Sequence, residues 1–355
     1  MRVEVAHRSI GEGQGVLIVA EIGVNHDGSV RRAIQLVDEA ADAGADAVKL
    51  QLFSAHELMH PSGRLAAYQK RTCADSDPEK MLRRFELSEA AVRRIVTAIR
   101  DRGLIPLATP FSTSDVESIK RLDLPAVKIA SPDLVNYPLL REAASLGKPL
   151  LVSTGAATHD EIARTVDWLR RWRASFALLH CVSSYPASAD DANLCWIGEL
   201  AERFGVPVGY SDHTTELSAG ALAVAAGATI VEKHLTWNRK ADGPDHAASS
   251  DPAQFARYAR LIRMAERLRG QNGKHVLPVE MDVRDISRQS LVLKRALRAG
   301  EMIREEDLTA QRPGSGISAG LLLEVVGRRA NRDLLAGIML YGDMLAERTM
   351  GAHAA

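Results

Sequence analysis

The sequence has little cysteine, no excess of either charge and no long apolar run, and each shortage narrows what the chain can be. Its three cysteines, Cys73, Cys181 and Cys195, are odd in number and form no CxxC pair. That argues against a disulfide framework and points to a reduced, cytoplasmic setting. Lys and Arg number 45 against 45 Asp and Glu, a formal net charge of zero. The balance speaks against nucleic acid or a membrane surface as partner, and leaves room for a local basic pocket that takes a small anion. The N-terminal MRVEVAHRSIGEG lacks the apolar core of a signal peptide. The most apolar run, 217–231, is too short to span a bilayer and is rich in Ala and Gly, which suits a core element of a soluble protein.

What the 355 residues do contain is a rhythm, with a 46% hydrophobic content that is ample for a packed core. Residues 1–15 alternate loosely and end in GEGQG, the pattern of a short hairpin. Buried-strand runs then recur at 16–22, 46–52, 104–109, 126–130, 149–154, 176–182, 207–210 and 229–234. Helical spacing falls at 31–43, 88–102, 113–122, 137–146, 159–171, 194–204, 216–226 and 254–268. Doubly wound sheets also alternate in this way, but eight units over roughly 250 residues is the size of a TIM (β/α)8 barrel. The segment 53–85 is too long and polar for an ordinary connection and reads as a functional or partner-facing loop. After Gly273 the rhythm breaks. The expected organisation is a barrel with its hairpin over 1–276, a linker without a clear helical face over 277–288, and a small β-rich domain over 289–355 with helical turns at 304–308 and 321–326.

Polar or ionisable residues leave almost every strand, on the face where barrel enzymes gather catalytic groups. The stretch 209–236, GYSDHTTELSAGALAVAAGATIVEKHLT, carries a histidine at each of two exits, His213 and His234. Neighbouring parallel strands lie about 4.8 Å apart, so both imidazoles would rise from one rim, a geometry that suits a divalent metal; the other reading is that each is a satisfied loop histidine. Lys49 and Lys128 end otherwise apolar strands, where a lysine is costly unless it meets an anion. Two readings stay open. One is a Lys–Glu pair within the core; the other is a cradle, with Thr109, Ser131, Ser153 and Ser211, for a phosphate and a carboxylate. Glu21 and Glu232, on the first and last strands, could position substrate or move protons, or could pair with Lys49 or Lys233.

The motifs AEIGVNHDGS (20–29), ADAVKLQLF (45–53), ATPFS (108–112), KIAS (128–131), STG (153–155), HCVSSYPA (180–187), GYSDHT (209–214), EKHLT (232–236) and GPDHAASSDP (243–252) occur in order. As an ordered set they resemble the sialic acid synthase family, the phosphoenolpyruvate-dependent synthases of nine-carbon nonulosonic acids. SLVLKRALRAGEMIREEDLTAQRPGSGI (290–317) resembles the antifreeze-like SAF domain appended in that family. The resemblance covers nearly the whole chain. It implies a (β/α)8 barrel followed by a small SAF domain, a divalent metal (Mn²⁺, with Mg²⁺ or Co²⁺ as alternatives) and a domain-swapped homodimer. By matching motif it makes His213 and His234 metal ligands. Lys49, Thr109, Lys128, Ser131, Ser153, Ser183 and Ser211 would hold phosphoenolpyruvate. Glu21, Gln51, Tyr185 and Asp245 would contact the acceptor, with Arg312 of RPGSGI reaching the sugar's acyl group in a partner's active site.

The implied activity is condensation of phosphoenolpyruvate with an open-chain N-acylated amino sugar, N-acetylmannosamine or a 2,4-diacetamido hexose, releasing phosphate; Glu21 or Glu232 would manage protons. Three positions depart from the family pattern: Ser183 where Asn is common, Pro132 where Gly or Phe is commoner, and Ser250 where an apolar residue is usual. The alternatives are a synthase for another surface-polysaccharide sugar acid, a phosphoenolpyruvate–phosphoaldose aldol enzyme that would leave the SAF-like region unexplained, and a non-catalytic barrel whose small domain binds carbohydrate or a partner protein.

Overall fold

The structure is a computed structural model that describes residues 2–66, 69–73, 77–270 and 273–347. Two compact units divide it, Met1–Gln271 and Asn272–Ala355. In the first, an antiparallel hairpin of β1 (Arg2–Val5) and β2 (Arg8–Gly11) precedes eight parallel strands. These are β3 (Leu17–Glu21), β4 (Ala47–Leu52), β5 (Ile105–Pro110), β6 (Val127–Ile129), β7 (Leu150–Ser153), β8 (Phe176–Cys181), β9 (Val208–Asp212) and β10 (Ile230–His234). They pair in chain order and close, β10 against β3, into the expected (β/α)8 barrel. Every barrel strand is buried over almost its full length, which is why they read as apolar runs rather than alternations. Among the described residues no helix is long and apolar enough to cross a membrane.

The helices start where local chemistry provides a cap. Ser88 Oγ accepts from Ala91 N at 3.3 Å ahead of helix Glu89–Asp101, and Thr158 with Glu161 makes a capping box for His159–Arg171. The last barrel helix begins earlier than its apolar spacing shows, at Pro252. Asp251 caps it, with Gln254 completing the box, and proline is well suited to the first helical turn. Conversely, the small-residue helix after β9 is confined to Ala219–Ala225.

The barrel has two unlike ends. At the amino ends of the strands, Val3, Val5 and Ile10 of the hairpin join Leu17, Val19, Leu107 and Leu179 in one apolar cluster that plugs the floor. The carboxyl ends carry the ionisable groups. The 53–85 segment crosses that end with helices Ala55–Leu58, Gln69–Thr72 and Pro78–Arg83, and Leu65, Met81 and Phe85 pack on Val24 in a small cluster of their own.

In the second unit, β11 (Ser290–Leu293) pairs antiparallel with β12 (Leu308–Gln311) over a core that includes Leu291, Leu293, Leu297, Ile303 and Leu340. Short helical turns fall at Glu305–Asp307 and Leu322–Val325. The 277–288 stretch departs from its reading as a linker with no helical face: it forms a 3-10 turn, Pro278–Glu280, and a helix, Met281–Ser287. Its apolar residues Val279, Val283 and Ile286 are all exposed within the chain, so no buried stripe marks the helix in the pattern.

Candidate active site

The period of two along each strand sorts the side chains at the carboxyl end. Parallel register sets His234 beside Glu21, Glu21 beside Lys49, Gln51 beside Thr109 and Glu232 beside Ser211. Pointing inward together, they build an ion cluster. Lys49 Nζ lies 2.8 Å from Glu21 Oε2, 3.2 Å from Glu232 Oε1 and 3.1 Å from Thr109 Oγ1. Lys128 Nζ donates to Ser153 Oγ at 2.6 Å and to the Ile129 carbonyl at 3.2 Å, with Glu232 Oε1 at 3.8 Å. Ser211 Oγ donates to Glu232 at 3.0 Å and Gln51 Nε2 to Glu21 at 3.2 Å. Of the Lys–Glu pairs that the sequence left open, those of Lys49 are present and lie on the wall of a cavity; Lys233 pairs instead with Asp212, because it faces the other side of its strand.

That cavity, about 360 Å³, is lined by eleven of the fifteen residues singled out from the sequence: Lys49, Gln51, Lys128, Ser131, Ser153, Tyr185, Ser211, His213, Glu232, His234 and Asp245. Glu21 and Thr109 are buried beside Lys49. Ser183 lines a neighbouring cavity that shares Cys181 with the first. Arg312 is exposed and belongs to the second unit.

The charges are unevenly shared. Burial pushes Glu21 up to about 7; Lys49 opposes this and Glu232 adds to it. Burial acts on Glu232 too, but Lys128 and then Lys49 outweigh it and hold the carboxyl down at about 2. Burial lowers Lys128 to about 8, with Glu232 opposing and Lys49 reinforcing. Lys49 is also desolvated, yet Glu21 and Glu232 raise it above the ordinary lysine value. One lysine between two carboxylates satisfies the one that also has the second lysine, and leaves Glu21 able to take a proton near neutrality.

Across the cavity the two imidazoles meet, ring centroids 5.4 Å apart, with the Tyr185 ring 4.1 Å from His213 and 5.9 Å from His234. His213 Nδ1 is 2.8 Å from the Val182 carbonyl. A carbonyl only accepts, so Nδ1 carries a proton; burial lowers this histidine, but Cys181 and the Val182 carbonyl outweigh it and raise it, and Nε2 offers its lone pair when the ring is neutral. His234 is driven well below the usual histidine value by burial and then by the neighbouring His213 and Lys49, so its ring is neutral. Its buried Nδ1 has no hydrogen-bond partner; the nearest carboxylate oxygen, Asp245 Oδ2, is 3.5 Å away. Two imidazole nitrogens with free lone pairs fit a divalent metal. Among the described residues no group of three or more His, Cys, Asp or Glu could hold one; His213 and His234 are the two residues that would.

Asp245 is placed by the loop that carries it. Asn25 Nδ2 donates to the Leu235 carbonyl at 2.9 Å and to Ser249 Oγ at 2.8 Å. Asp27 accepts from Trp237 Nε1 at 3.0 Å and faces His246 Nε2 at 2.9 Å. These contacts tie the loop after β10 to the loop after β3.

Three features escaped the sequence reading. Cys181 lines the cavity, its Sγ 3.6 Å from His213 Nδ1; its place after His180 in HCVSSYPA was the available signal. A Cβ on Gly155 would lie 2.3 Å from Ser183 Oγ and 2.8 Å from Ser131 Oγ, so only glycine leaves that cradle open. The outer wall is apolar, with Val24, Phe53, Leu58, Met59, Leu82 and Phe111, and the polar composition of 53–85 concealed it.

Known proteins share this chain's fold and order of domains. Residues 36–274 match the NeuB family and residues 288–346 the SAF domain. The chain is 37% identical to the N,N'-diacetyllegionaminic acid synthase of Legionella pneumophila, over 93% of this chain and 94% of that protein. It is 31% identical to the N-acetylneuraminate-9-phosphate synthase of Mus musculus, over 86% of this chain and 85% of that one. The crystal structure of the N-acetylneuraminic acid synthetase of Leptospira borgpetersenii, in complex with citrate, superposes with a TM-score of 0.73 at 31% identity, covering 80% of this chain and 95% of that one. A closed barrel with paired lysines and histidines at its carboxyl end, followed by a SAF domain, thus has a family: the chain belongs to the NeuB family.

Proposed function

We propose that the barrel condenses phosphoenolpyruvate with the open-chain aldehyde of an N-acylated amino sugar, giving a nine-carbon nonulosonic acid and phosphate. The observation that carries the reading is one cavity with two buried lysines on one wall and two metal-competent imidazoles on another. Lys49 and Lys128 neutralise the phosphate and carboxylate of phosphoenolpyruvate, and Ser131, Ser153 and Ser211 donate to their oxygens. Gly155 leaves the room in which the phosphate sits. A divalent ion held by His213 and His234, Mn²⁺ in the first instance, would supply Lewis-acid polarisation of the aldehyde.

Carbon 3 of phosphoenolpyruvate forms a bond to the aldehyde carbon, whose oxygen takes a proton, and positive charge develops at carbon 2. Water adds there and loses a proton; the bond between carbon 2 and the bridging oxygen then breaks, phosphate leaving with that oxygen and the bonding pair while the new hydroxyl gives up its proton and becomes the keto oxygen. Glu21, poised near neutrality, is the group able to hold and return a proton within this cluster. Gln51, Tyr185 and Asp245 orient the acceptor. The apolar outer wall suits the methyl groups of acetamido substituents better than a second phosphate, which favours N-acetylmannosamine or a 2,4-diacetamido hexose over a phosphorylated acceptor. The reading includes a homodimer in which the partner's SAF domain presents Arg312 to the acyl group.

The test is incubation with phosphoenolpyruvate, Mn²⁺ and a panel of hexosamines, with phosphate release and product mass as readouts. Turnover with an unphosphorylated acylamino sugar, abolished by EDTA, supports the reading. No turnover with any acceptor favours the non-catalytic barrel, and turnover indifferent to EDTA removes the metal from the scheme.

A further inference from the structure

A second ion pair lies directly behind the histidines, on the opposite face of the same two strands. Lys233 Nζ donates to Asp212 Oδ2 at 2.9 Å and to the Thr214 carbonyl. Asp212 also accepts from Tyr258 Oη at 2.8 Å through Oδ2 and from Thr214 N at 2.8 Å through Oδ1. Both charged residues are sealed, at 0% and 1% exposure. Strand alternation explains why: Ser211 and Glu232 face the cavity, so Asp212 and Lys233 face the helical layer. There Tyr258, on helix Pro252–Arg269, packs against Gly220 of helix Ala219–Ala225 so closely that a Cβ on Gly220 would come within 2.4 Å of the hydroxyl.

We propose that Asp212, Lys233 and Tyr258 are positioning residues that clamp β9 to β10 in register, so that His213 and His234 stand level for a shared metal ion. The inference rests on the metal reading above. Each histidine is the residue immediately after one member of the pair, and the bonded register sets Lys233 opposite Asp212. A buried ion pair is seldom a net source of stability; well-packed apolar residues of like volume commonly do as well or better. What the pair supplies that two leucines would not is discrimination between registers. A slip of one residue, roughly 3.3 Å, would leave both charges unpaired and turn every side chain to the wrong face. His213 has local restraints besides, since its Nδ1 is bonded to Val182 and its carbonyl accepts from Ala187 N at 2.9 Å. His234 Nδ1 has no such bond; its carbonyl accepts from Ser250 N at 2.9 Å, so the placement of that ring depends on a backbone held by Ser250 on one side and Lys233 on the other. Asp212 further fixes the turn after His213 through Thr214.

Full-length wild type, Tyr258→Phe and the charge-free double variant Asp212→Leu/Lys233→Met provide the test. Mn²⁺ affinity is read from the loss of the free-ion EPR signal, phosphoenolpyruvate affinity from metal-free calorimetry, and folding from circular dichroism and the melting temperature. The expected result is Mn²⁺ binding weakened roughly tenfold or more in the double variant and less in Tyr258→Phe. The melting temperature should stay near wild type, and phosphoenolpyruvate affinity should fall far less than Mn²⁺ affinity, because Lys49 and Lys128 stand on other strands and only Ser211 and Glu232 share β9 and β10. Mn²⁺ affinity within twofold of wild type in a folded double variant overturns the clamp; should that variant not fold, unchanged Mn²⁺ binding in Tyr258→Phe overturns it alone. A wild type that binds no Mn²⁺ removes the metal reading first, and the clamp with it, so the two failures are told apart by which protein fails.

Discussion

The two faces of β9 and β10 carry the same chemistry to different ends. Inward, Glu232 is shared between Lys49 and Lys128 beside a cavity, and Glu21, which has Lys49 alone of the two, is left able to protonate. Outward, Lys233 and Asp212 are sealed together, Lys233 bonded to Asp212 and to the Thr214 carbonyl, and neither lines the cavity that holds Lys49 and Lys128. A charge cluster whose partners are unevenly shared next to a space is arranged to meet a ligand. One paired one to one in a sealed layer holds structure. Burial alone, nearly complete in both, does not tell them apart; the bonding of each charge and the space beside it do.

The largest effect expected on this contrast comes from Lys49→Met. It leaves Glu21 and Glu232 facing each other in the barrel, so urea unfolding should show a loss of about 3–5 kcal/mol, and turnover should fall below detection. The charge-free outward variant, by contrast, should unfold within about 1 kcal/mol of wild type. Equal losses in the two would erase the distinction between the faces.

Gly155→Ala comes next. The added methyl intrudes on Ser183 and Ser131 without touching any ion pair, so kcat/KM for phosphoenolpyruvate should drop by roughly a hundredfold while the melting temperature holds.

The pH profile follows in size. Lys128 is charged below about 8 and neutral above it, so phosphoenolpyruvate binding weakens as pH rises through that value. Glu21 is protonated below about 7, so its capacity to accept a proton fades as pH drops through that value. The bell-shaped kcat/KM expected from these two groups should peak between them and fall about tenfold per pH unit on each flank. Stability has its own sign. Because burial depresses Lys128 from 10.5 to about 8, the unfolded chain binds the extra proton between those values, and Lys128 makes stability rise with pH across that window. Lys128→Met should flatten that rise, as denaturation at several pH values would show.

Smallest is Arg312→Ala, expected to raise the acceptor KM severalfold, by about 1 kcal/mol of a charge-assisted hydrogen bond, with phosphoenolpyruvate KM unchanged. An unaffected acceptor KM would take Arg312 out of the scheme.

Much of this geometry was legible in the sequence because a barrel imposes it. Eight apolar runs of strand length define eight parallel neighbours, and a polar residue ending such a run has to face the carboxyl rim. That logic located Lys49, Lys128, His213 and His234 without knowledge of their partners. It could not choose between a Lys–Glu pair and an anion cradle, because the choice depends on a cavity, and a cavity is a property of packing. The outward pair stayed hidden for a related reason. Asp212 and Lys233 sit one residue from the histidines, and only the register of β9 on β10 shows that they meet. Helix Met281–Ser287 went unread because its apolar residues bury nothing within the chain. The apolar outer wall draws on residues scattered through a polar segment, Leu58, Met59 and Leu82 among them, which periodicity does not detect.

The central claim is that this cavity breaks the carbon–oxygen bond of phosphoenolpyruvate after making a carbon–carbon bond. It is tested most directly with phosphoenolpyruvate labelled with ¹⁸O at the bridging oxygen, incubated with the full-length protein, Mn²⁺ and an acylamino hexose. The label is expected in the released phosphate, alongside a nine-carbon acid that carries none. Label retained in the acid, or phosphate released with no sugar acid formed, would contradict the account.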